Sequence, residues 1–352
     1  MDQRTLRHRL FAGVAIVSLG MLTACNPPSE STGNAENLPS DQQALITQAR
    51  EEGQVSLGAG GHTVSQAQLL ADEFEAEYGI KVNFIRENSG QIAQKLEAQM
   101  SGGNVSFDVV SLNDTSTLDT WTKEGVLADA EIVNAADIFE PLQVEESIYY
   151  PFTWSVLGYS YNSSRTAVGD APASWDDLAK ADGTKAVADP GSSGAALAFA
   201  GVMDEIDSSF FPQLGEGEVL TSESALALGQ MVATGEASFG IPGIESEVAT
   251  AQLAGEPIKM GYPAGDLGAM SSYISALSSA SSPAAARLLV QFAMSPDFQQ
   301  AQLEIGSRST LGDLPAAEST EEIDQERIVV LDQASLVEER ERIVKEFEEA
   351  IR

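Results

Sequence analysis

Cysteine, histidine and basic residues are scarce in this chain. Its 352 residues include one cysteine and two histidines, and 19 lysines and arginines stand against 53 aspartates and glutamates, for a formal charge of −34. A single cysteine excludes an intramolecular disulfide, so stability has to come from a buried core. The negative charge excludes a nucleic-acid partner, because binding to phosphates depends on basic side chains.

Signatures of catalysis are also missing. The sequence has no G-x-S-x-G nucleophile elbow, no P-loop and no G-x-G-x-x-G turn at the end of a predicted strand. Paired carboxylates could serve a glycosidase, but with 53 acidic residues such pairs arise by chance and lose diagnostic value. We therefore expect a binding protein that is not an enzyme and needs no cofactor.

An apolar run over Leu10–Ala24 follows a basic N-terminal segment. Because a bilayer is about 30 Å thick, this run is too short to span it as a helix. The run ends in the letters LTAC at residues 22–25, which resemble the bacterial lipobox. The pattern predicts a lipoprotein signal peptide over residues 1–24 and lipidation of Cys25, the single cysteine.

The segment that follows, residues 25–40, has almost no large apolar side chain and predicts a flexible linker. Together with the lipobox it predicts a protein tethered to the cell envelope by lipid. The location would be periplasmic in a Gram-negative bacterium, or the outer face of the plasma membrane in a Gram-positive one. The mature chain still exceeds the size at which single cores usually split, so two domains are expected.

From Gln54 onward, short apolar runs alternate with helical patterns, which indicates parallel β-sheets covered by helices. Loops of small polar residues follow the predicted strands. In open α/β sheets ligands bind beyond the carboxyl ends of the strands, where backbone N–H groups and helix N-termini face a cleft. Trp154 adds an aromatic candidate by cation–π contact. The other predicted ligand contacts lie in these loops: Gly61, His62, Asn88, Ser89, Asn113, Asp114, Ser192, Ser193, Gly194, Gly243 and Glu245.

Several stretches in the region from about Gln54 to Leu311 resemble type II periplasmic solute-binding proteins of ABC importers, notably the branch that includes ferric-iron binders. These stretches are FEAEYGIKVNF, SFDVVSLND, EGVLAD, LGYSYNSS, PASWDDLAKADGTKAVADP and SPAAARLLVQFAMSPDFQQAQL. The resemblance implies two α/β lobes joined by crossover strands, which close on a ligand about a hinge. It further implies that residues 41–153 plus 265–352 form lobe 1 and that residues 154–264 form lobe 2. We expect a monomer that delivers a small molecule or ion to a membrane permease.

The resemblance also bears on the ligand. Ferric binders of this branch use a histidine in the first loop and two adjacent tyrosines in the second lobe. His62 lies at the first position, but the matching second region, Phe239–Glu245, has no tyrosine. The adjacent Tyr149 and Tyr150 lie near the predicted crossover and are expected to pack at the hinge. His62 would be a metal ligand only if the ferric alternative holds.

Three ligand classes are therefore open. An oxyanion such as a phosphonate, phosphate ester or sulfate fits the N–H and hydroxyl donors of the loops and is ranked first. Ferric iron is second. An organic cation such as a polyamine or thiamine is third, and its carboxylate and aromatic partners would be Asp114, Asp189, Glu245, Asp266 and Trp154.

Overall fold

The structure is a computed structural model that describes residues 38–144, 147–312, 317–331 and 333–351. The predicted signal peptide, Cys25 and most of the predicted linker lie outside these ranges. No helix within them is both long enough and apolar enough to cross a membrane.

Strands and helices alternate along most of the chain. The strands are β1 (Gln54–Gly60), β2 (Lys81–Glu87), β3 (Val109–Leu112), β4 (Leu127–Ala128), β5 (Tyr150–Asn162), β6 (Lys185–Ala188), β7 (Val219–Ser222), β8 (Phe239–Ile244), β9 (Ile258–Gly261), β10 (Leu267–Leu277) and β11 (Ile328–Val329). The helices are α1 (Ser40–Glu52), α2 (Val64–Tyr78), α3 (Ser89–Gly102), α4 (Thr115–Lys123), α5 (Trp175–Lys180), α6 (Gly194–Ile206), α7 (Phe210–Leu214), α8 (Ala225–Thr234), α9 (Glu245–Leu253), α10 (Pro283–Ala293), α11 (Pro296–Gln302) and α12 (Gln333–Ala350).

The central sheet has the order β2-β1-β3-β10-β5-β8-β6-β7. Strand β1 is parallel to β2 and β3, and β6 is parallel to β7 and β8. We call β2-β1-β3 the first block and β8-β6-β7 the second block. The long strands β5 and β10 are antiparallel to each other and join the two blocks. This is the predicted two-lobed α/β fold with crossover strands.

Local capping chemistry fixes where the helices begin and end. The Thr63 hydroxyl accepts a hydrogen bond from the Gln66 N–H, and the Gln66 side chain accepts one from the Thr63 N–H, so α2 begins with a capping box. The helix ends at Gly79, which adopts a left-handed conformation with φ of 72° that favours glycine. Both boundaries are thus set by contacts within one turn of the helix.

The crossover strand β5 lies at the centre of the hydrophobic core. All 13 of its residues are buried, because β8, β9 and β10 pair with it and helices pack over it. A second cluster, which includes Ile92, Leu96, Phe107 and Trp121, fills the space between α3, α4 and β3. Each large apolar side chain buried in this way contributes roughly 1.5–3 kcal/mol relative to exposure.

Helix α12 packs mainly against helices next to the second block. Its Phe347 ring lies edge-on to Phe211 of α7, with centroids 5.2 Å apart, and Arg342 forms an ion pair of 2.7 Å with Asp204 of α6. The helix also contacts α4 beside the first block. The lobe boundaries given above stay a prediction, and α12, placed there in lobe 1, contacts helices assigned to both lobes.

Candidate functional site

A cavity of about 900 Å³ lies where the carboxyl ends of the two blocks meet across β5 and β10. This volume suits a small solute, because ligand pockets typically measure about 300–1,000 Å³. The loops and helix starts that follow all six parallel strands line it. We call 61–63 after β1, 88–91 after β2 and 113–115 after β3 the first wall, and 192–195 after β6, 223–226 after β7 and 246–247 after β8 the second wall. The predicted convergence of strand-end loops on one cleft is therefore present.

Most of the predicted ligand contacts border this cavity, although their role in binding stays a prediction. Those that line it are Gly61, His62, Asn88, Ser89, Asn113, Asp114, Trp154, Ser192, Ser193 and Gly194. Two predicted residues, Gly243 and Glu245, are not part of the lining.

Packing and charge explain these two exceptions. Gly243 lies in β8 against β5, where a Cβ atom would come within 2.4 Å of the Tyr159 carbonyl carbon, so close strand packing requires glycine. The side chain of Glu245 is 1% exposed, and its carboxylate accepts hydrogen bonds from Arg308 at 2.6 and 2.8 Å and from the Tyr262 hydroxyl at 2.6 Å. Glu245 is thus part of an internal ion pair, and the prediction that it contacts ligand is corrected.

Trp154 borders the cavity, but its ring already has partners. The indole N–H donates to the Ser309 carbonyl oxygen at 2.6 Å. The ring stacks on Phe139 with centroids 5.3 Å apart, and the Arg308 guanidinium lies 5.3 Å from the ring centroid. The cation–π capacity of Trp154 is therefore used within the protein.

Asn113 joins three parts of the first wall. Its amide nitrogen donates to the carbonyl oxygens of Gly61 and Ser271, both at 2.9 Å, and its side-chain oxygen accepts from the Ser89 hydroxyl at 2.9 Å. Gly61 has φ of 81°, and a Cβ atom there would lie 1.9 Å from the Asn113 side-chain oxygen. Asn113 therefore holds the loops in place, and both of its amide hydrogens have acceptors within the protein.

Two aspartates proposed for the cation alternative also have local partners. Asp114 caps α4, where it accepts hydrogen bonds from the N–H and hydroxyl groups of Ser116 and Thr117. Asp189 accepts from the Gly191 N–H at 2.8 Å and from the Ser192 hydroxyl at 2.7 Å. These carboxylates stabilise a helix start and a turn, and Asp266 does not line the cavity.

His62 is 5% exposed and packs edge-on against Phe152. Its Nδ1 lies 3.0 Å from the Gly60 carbonyl oxygen, which assigns the proton to Nδ1 and leaves Nε2 as an acceptor. Nε2 has no hydrogen-bond partner among the described residues. Burial lowers the pKa of His62 to about 4, against the opposing effect of the Gly60 hydrogen bond. The ring is therefore neutral at pH 7.

The adjacent tyrosines lie at the start of β5, near the crossover as predicted. The Tyr149 hydroxyl donates to Asp119 at 2.7 Å, and the Tyr150 hydroxyl donates to Asp129 at 3.0 Å. Within the part of the chain that the structure describes, no three His, Cys, Asp or Glu side chains form a group that could hold a metal ion.

Arg86 is a cavity residue that the sequence-based prediction missed. Its Nε donates to the His62 carbonyl oxygen at 2.8 Å, which orients the guanidinium. We find no other hydrogen-bond or ion-pair partner for this side chain among the described residues, so its terminal amino groups are available to a solute. Arg86 follows a predicted strand and precedes the Asn88–Ser89 loop, and this position is the one signal that could have identified it.

Residues 60–300 match the family of bacterial extracellular solute-binding proteins. The chain belongs to this family. It is the substrate-binding component of an ABC-type importer, and it acts in the extracellular or periplasmic space with a small solute and a membrane permease as partners.

Solved structures of periplasmic binding proteins share the fold of this solute-binding protein. AfuA from Actinobacillus pleuropneumoniae, solved with exogenous fructose-6-phosphate bound, is 22% identical, with 85% of this chain and 99% of that chain covered and a TM-score of 0.69. Iron-bound HitA from Pseudomonas aeruginosa is 19% identical, with 84% and 99% covered and a TM-score of 0.68. A periplasmic thiamin binding protein is 17% identical, with 85% and 96% covered and a TM-score of 0.68. Identities this low show the fold alone.

Groups of both charges border the cavity of this solute-binding protein. Among the described residues of the lining, Arg86 and Arg340 are the positive ones, and Arg340, on α12, also donates to the Gly191 carbonyl oxygen. Glu223 and Glu247 are carboxylates for which we find no partner among the described residues. The N-termini of α3, α4, α6 and α8 also reach the lining, and each contributes a partial positive charge of about half a unit.

Proposed function

We propose that this solute-binding protein captures an oxyanion, most favourably a phosphonate or a phosphate ester, by closure of the two lobes. The observation that carries the proposal is the guanidinium of Arg86, held through Nε and otherwise without a partner among the described residues, at a cavity lined by several helix N-termini. A planar guanidinium can hold two oxygens of a phosphoryl group at once, which a point charge such as lysine cannot do.

Hydroxyl groups on the opposite wall support the same ligand class. Ser193 and Ser224 are the N-caps of α6 and α8, and both line the cavity. We find no acceptor for either hydroxyl hydrogen within the described part of the chain. Helix N-termini with nearby hydroxyl donors are favourable sites for phosphate-like anions, because N–H groups and the helix dipole both point toward the ligand.

Ferric iron has weaker support. Fe(III) favours anionic oxygen ligands, but no group of three His, Cys, Asp or Glu side chains among the described residues could hold a metal ion, and the Tyr149 hydroxyl already donates to Asp119. An organic cation has weaker support too, since Asp114, Glu245 and Trp154 have partners within the protein.

In this proposal the protein works as a monomer, and acyl chains on Cys25 keep it near its permease. Each buried methylene of such a chain contributes about 0.8 kcal/mol, so two or three chains suffice for a stable anchor. The solute would leave when the lobes reopen against the permease.

Titration calorimetry of the domain from Ser40 onward with phosphonates and phosphate esters tests the ligand class. We expect Arg86→Gln to weaken binding about 100-fold, because two charge-assisted hydrogen bonds are lost. Arg86→Lys keeps the charge but loses the planar fork, and should weaken binding about tenfold.

Arg165→Gln is the matched control. Like Arg86, Arg165 donates to one backbone carbonyl oxygen, that of Gly235, but it lies beyond the far end of β5 and does not line the cavity. Its substitution should leave affinity within about threefold. A protein that binds ferric salts, thiamine or a polyamine and no phosphonate or phosphate ester would refute the proposal.

A further inference from the structure

Glu247 is a half-buried cavity carboxylate that an oxyanion does not explain, whereas Glu223 is exposed. Glu247 is the third residue of α9 and lines the cavity in a half-buried position. Glu245, two residues earlier, is fully engaged with Arg308, and Asp119 accepts from Tyr149. For Glu247, by contrast, we find no hydrogen-bond donor and no ion-pair partner in the described part of the chain.

A carboxylate withdrawn from water without a partner is costly, since its charge loses hydration and gains nothing in return. Burial accordingly raises the pKa of Glu247, and the charge of Arg86 lowers it. The charges of Arg86 and Glu247 therefore interact electrostatically. They form no ion pair within 4 Å, and Arg86 is held instead by the His62 carbonyl oxygen.

A purely anionic solute on Arg86 would add a second negative charge near Glu247. Like charges repel each other more strongly in a cavity than in bulk water, because solvent screens them less. The position of Glu247 in the first turn of α9 offers a modest compensation, because a helix N-terminus favours negative charge. Glu245 already occupies that turn with a carboxylate. The helix dipole alone is thus a weak explanation for a second carboxylate, that of Glu247, at the cavity wall.

We propose that the solute is a compact zwitterion whose oxyanion binds Arg86 and whose ammonium group binds Glu247. This inference rests on the proposed oxyanion function and adds a second recognition element to it. The two protein groups come from different walls, Arg86 from the end of β2 and Glu247 from α9. One small molecule with both charges bridges the walls and neutralises each group, which favours the closed state.

Two matched phosphonates test the idea by calorimetry. 2-Aminoethylphosphonate and propylphosphonate have similar size and the same anionic group, but only the first carries an ammonium. We expect the wild-type protein to bind the amino compound at least tenfold more tightly. Glu247→Gln removes the charge at nearly constant volume, and should weaken the amino compound about 10- to 100-fold while it leaves propylphosphonate unchanged or strengthens it.

Glu97→Gln supplies the control for a change in total charge. Glu97 is exposed on α3 and does not line the cavity, so its substitution should alter neither affinity. Thermal unfolding of each variant without ligand verifies that the fold is retained.

The outcomes separate the two proposals. Equal affinity for both phosphonates, with the same response to Glu247→Gln, would refute the zwitterion and retain the oxyanion. Binding of neither phosphonate, nor of any phosphate ester, would refute the oxyanion function and the inference with it. A preference for the amino compound that Glu247→Gln abolishes would support both.

Discussion

The two walls of the cavity are built by the same strand, loop and helix pattern, yet they use their polar groups differently. In the first wall, after β1–β3, the side chains bond to one another. Asn113 joins Gly61, Ser89 and Ser271, and the Ser272 hydroxyl donates to the Gly61 carbonyl oxygen at 2.6 Å. In the second wall, after β6 and β7, the cap hydroxyls of two helices keep their hydrogens available within the described residues.

This difference suggests that the two walls have different roles in ligand binding. A wall whose polar groups are already satisfied keeps its geometry with or without solute, so it can present Arg86 at little ordering cost. In the second wall the hydroxyl hydrogens of Ser193 and Ser224 would gain acceptors when a solute arrives, and these bonds would therefore help to favour the closed state. The predictions below test whether the walls differ in stability and in binding as these roles require.

The largest effect is expected at the buried Glu245–Arg308 ion pair beside the second block. The two side chains are 1% and 8% exposed, so Arg308→Ala leaves a buried carboxylate without its positive partner. We expect a loss of about 3–5 kcal/mol in the free energy of unfolding. Urea denaturation measures it. Arg342→Ala breaks an exposed ion-pair network and should cost at most about 1 kcal/mol.

The double variant Arg308→Met with Glu245→Gln sharpens this test. If the cost of the single variant comes from an uncompensated charge, removal of both charges should recover much of the lost stability. Equal losses in the single and double variants would instead assign the effect to packing around Trp154 and Tyr262.

An intermediate effect is expected in the first wall. Asn113→Ala removes the bonds to two carbonyl oxygens and one hydroxyl, and each buried group left unsatisfied costs about 1–3 kcal/mol. We expect lower stability by thermal unfolding and about tenfold weaker binding of a phosphonate, because three loops lose the hydrogen bonds that hold them together.

Asn83→Ala is the control, since Asn83 is exposed on β2 with one long hydrogen bond of 3.4 Å. Full affinity in Asn113→Ala would mean that the first wall does not depend on this network.

Local sequence pattern predicts much of this architecture, because its causes are local. The capping box at Thr63–Gln66 and the left-handed glycine at Gly79 act within one turn of α2, and the strand-end loops follow from the βα alternation. The convergence of the loops then follows from the geometry of parallel sheets.

Long-range partners explain what the sequence could not reveal. Glu245 pairs with a residue 63 positions away, and Asn113 bonds to one 158 positions away, and neither partner follows from local spacing. The ring of Trp154 is covered by Phe139 and Arg308, which no spacing predicts. Arg86 was missed for the converse reason, because its terminal amino groups have no partner among the described residues, and a sequence does not show which cations stay unpaired.

The smallest effect is expected in the second wall, where Ser193 caps α6. Its hydroxyl accepts only a long hydrogen bond of 3.4 Å from the Ala196 N–H, so Ser193→Ala should cost about 0.5 kcal/mol of stability. Affinity for a phosphonate should fall about three- to tenfold, because a neutral hydrogen bond to the solute is lost.

Ser174→Ala is the matched control, since Ser174 caps α5 with a bond of 3.1 Å to Asp177 outside the cavity. It should lower stability at least as much without any change in affinity. If both serine variants bind the phosphonate as tightly as the wild type, the hydroxyl of Ser193 does not contact the solute. The second wall then does not contribute binding energy through its cap hydroxyls.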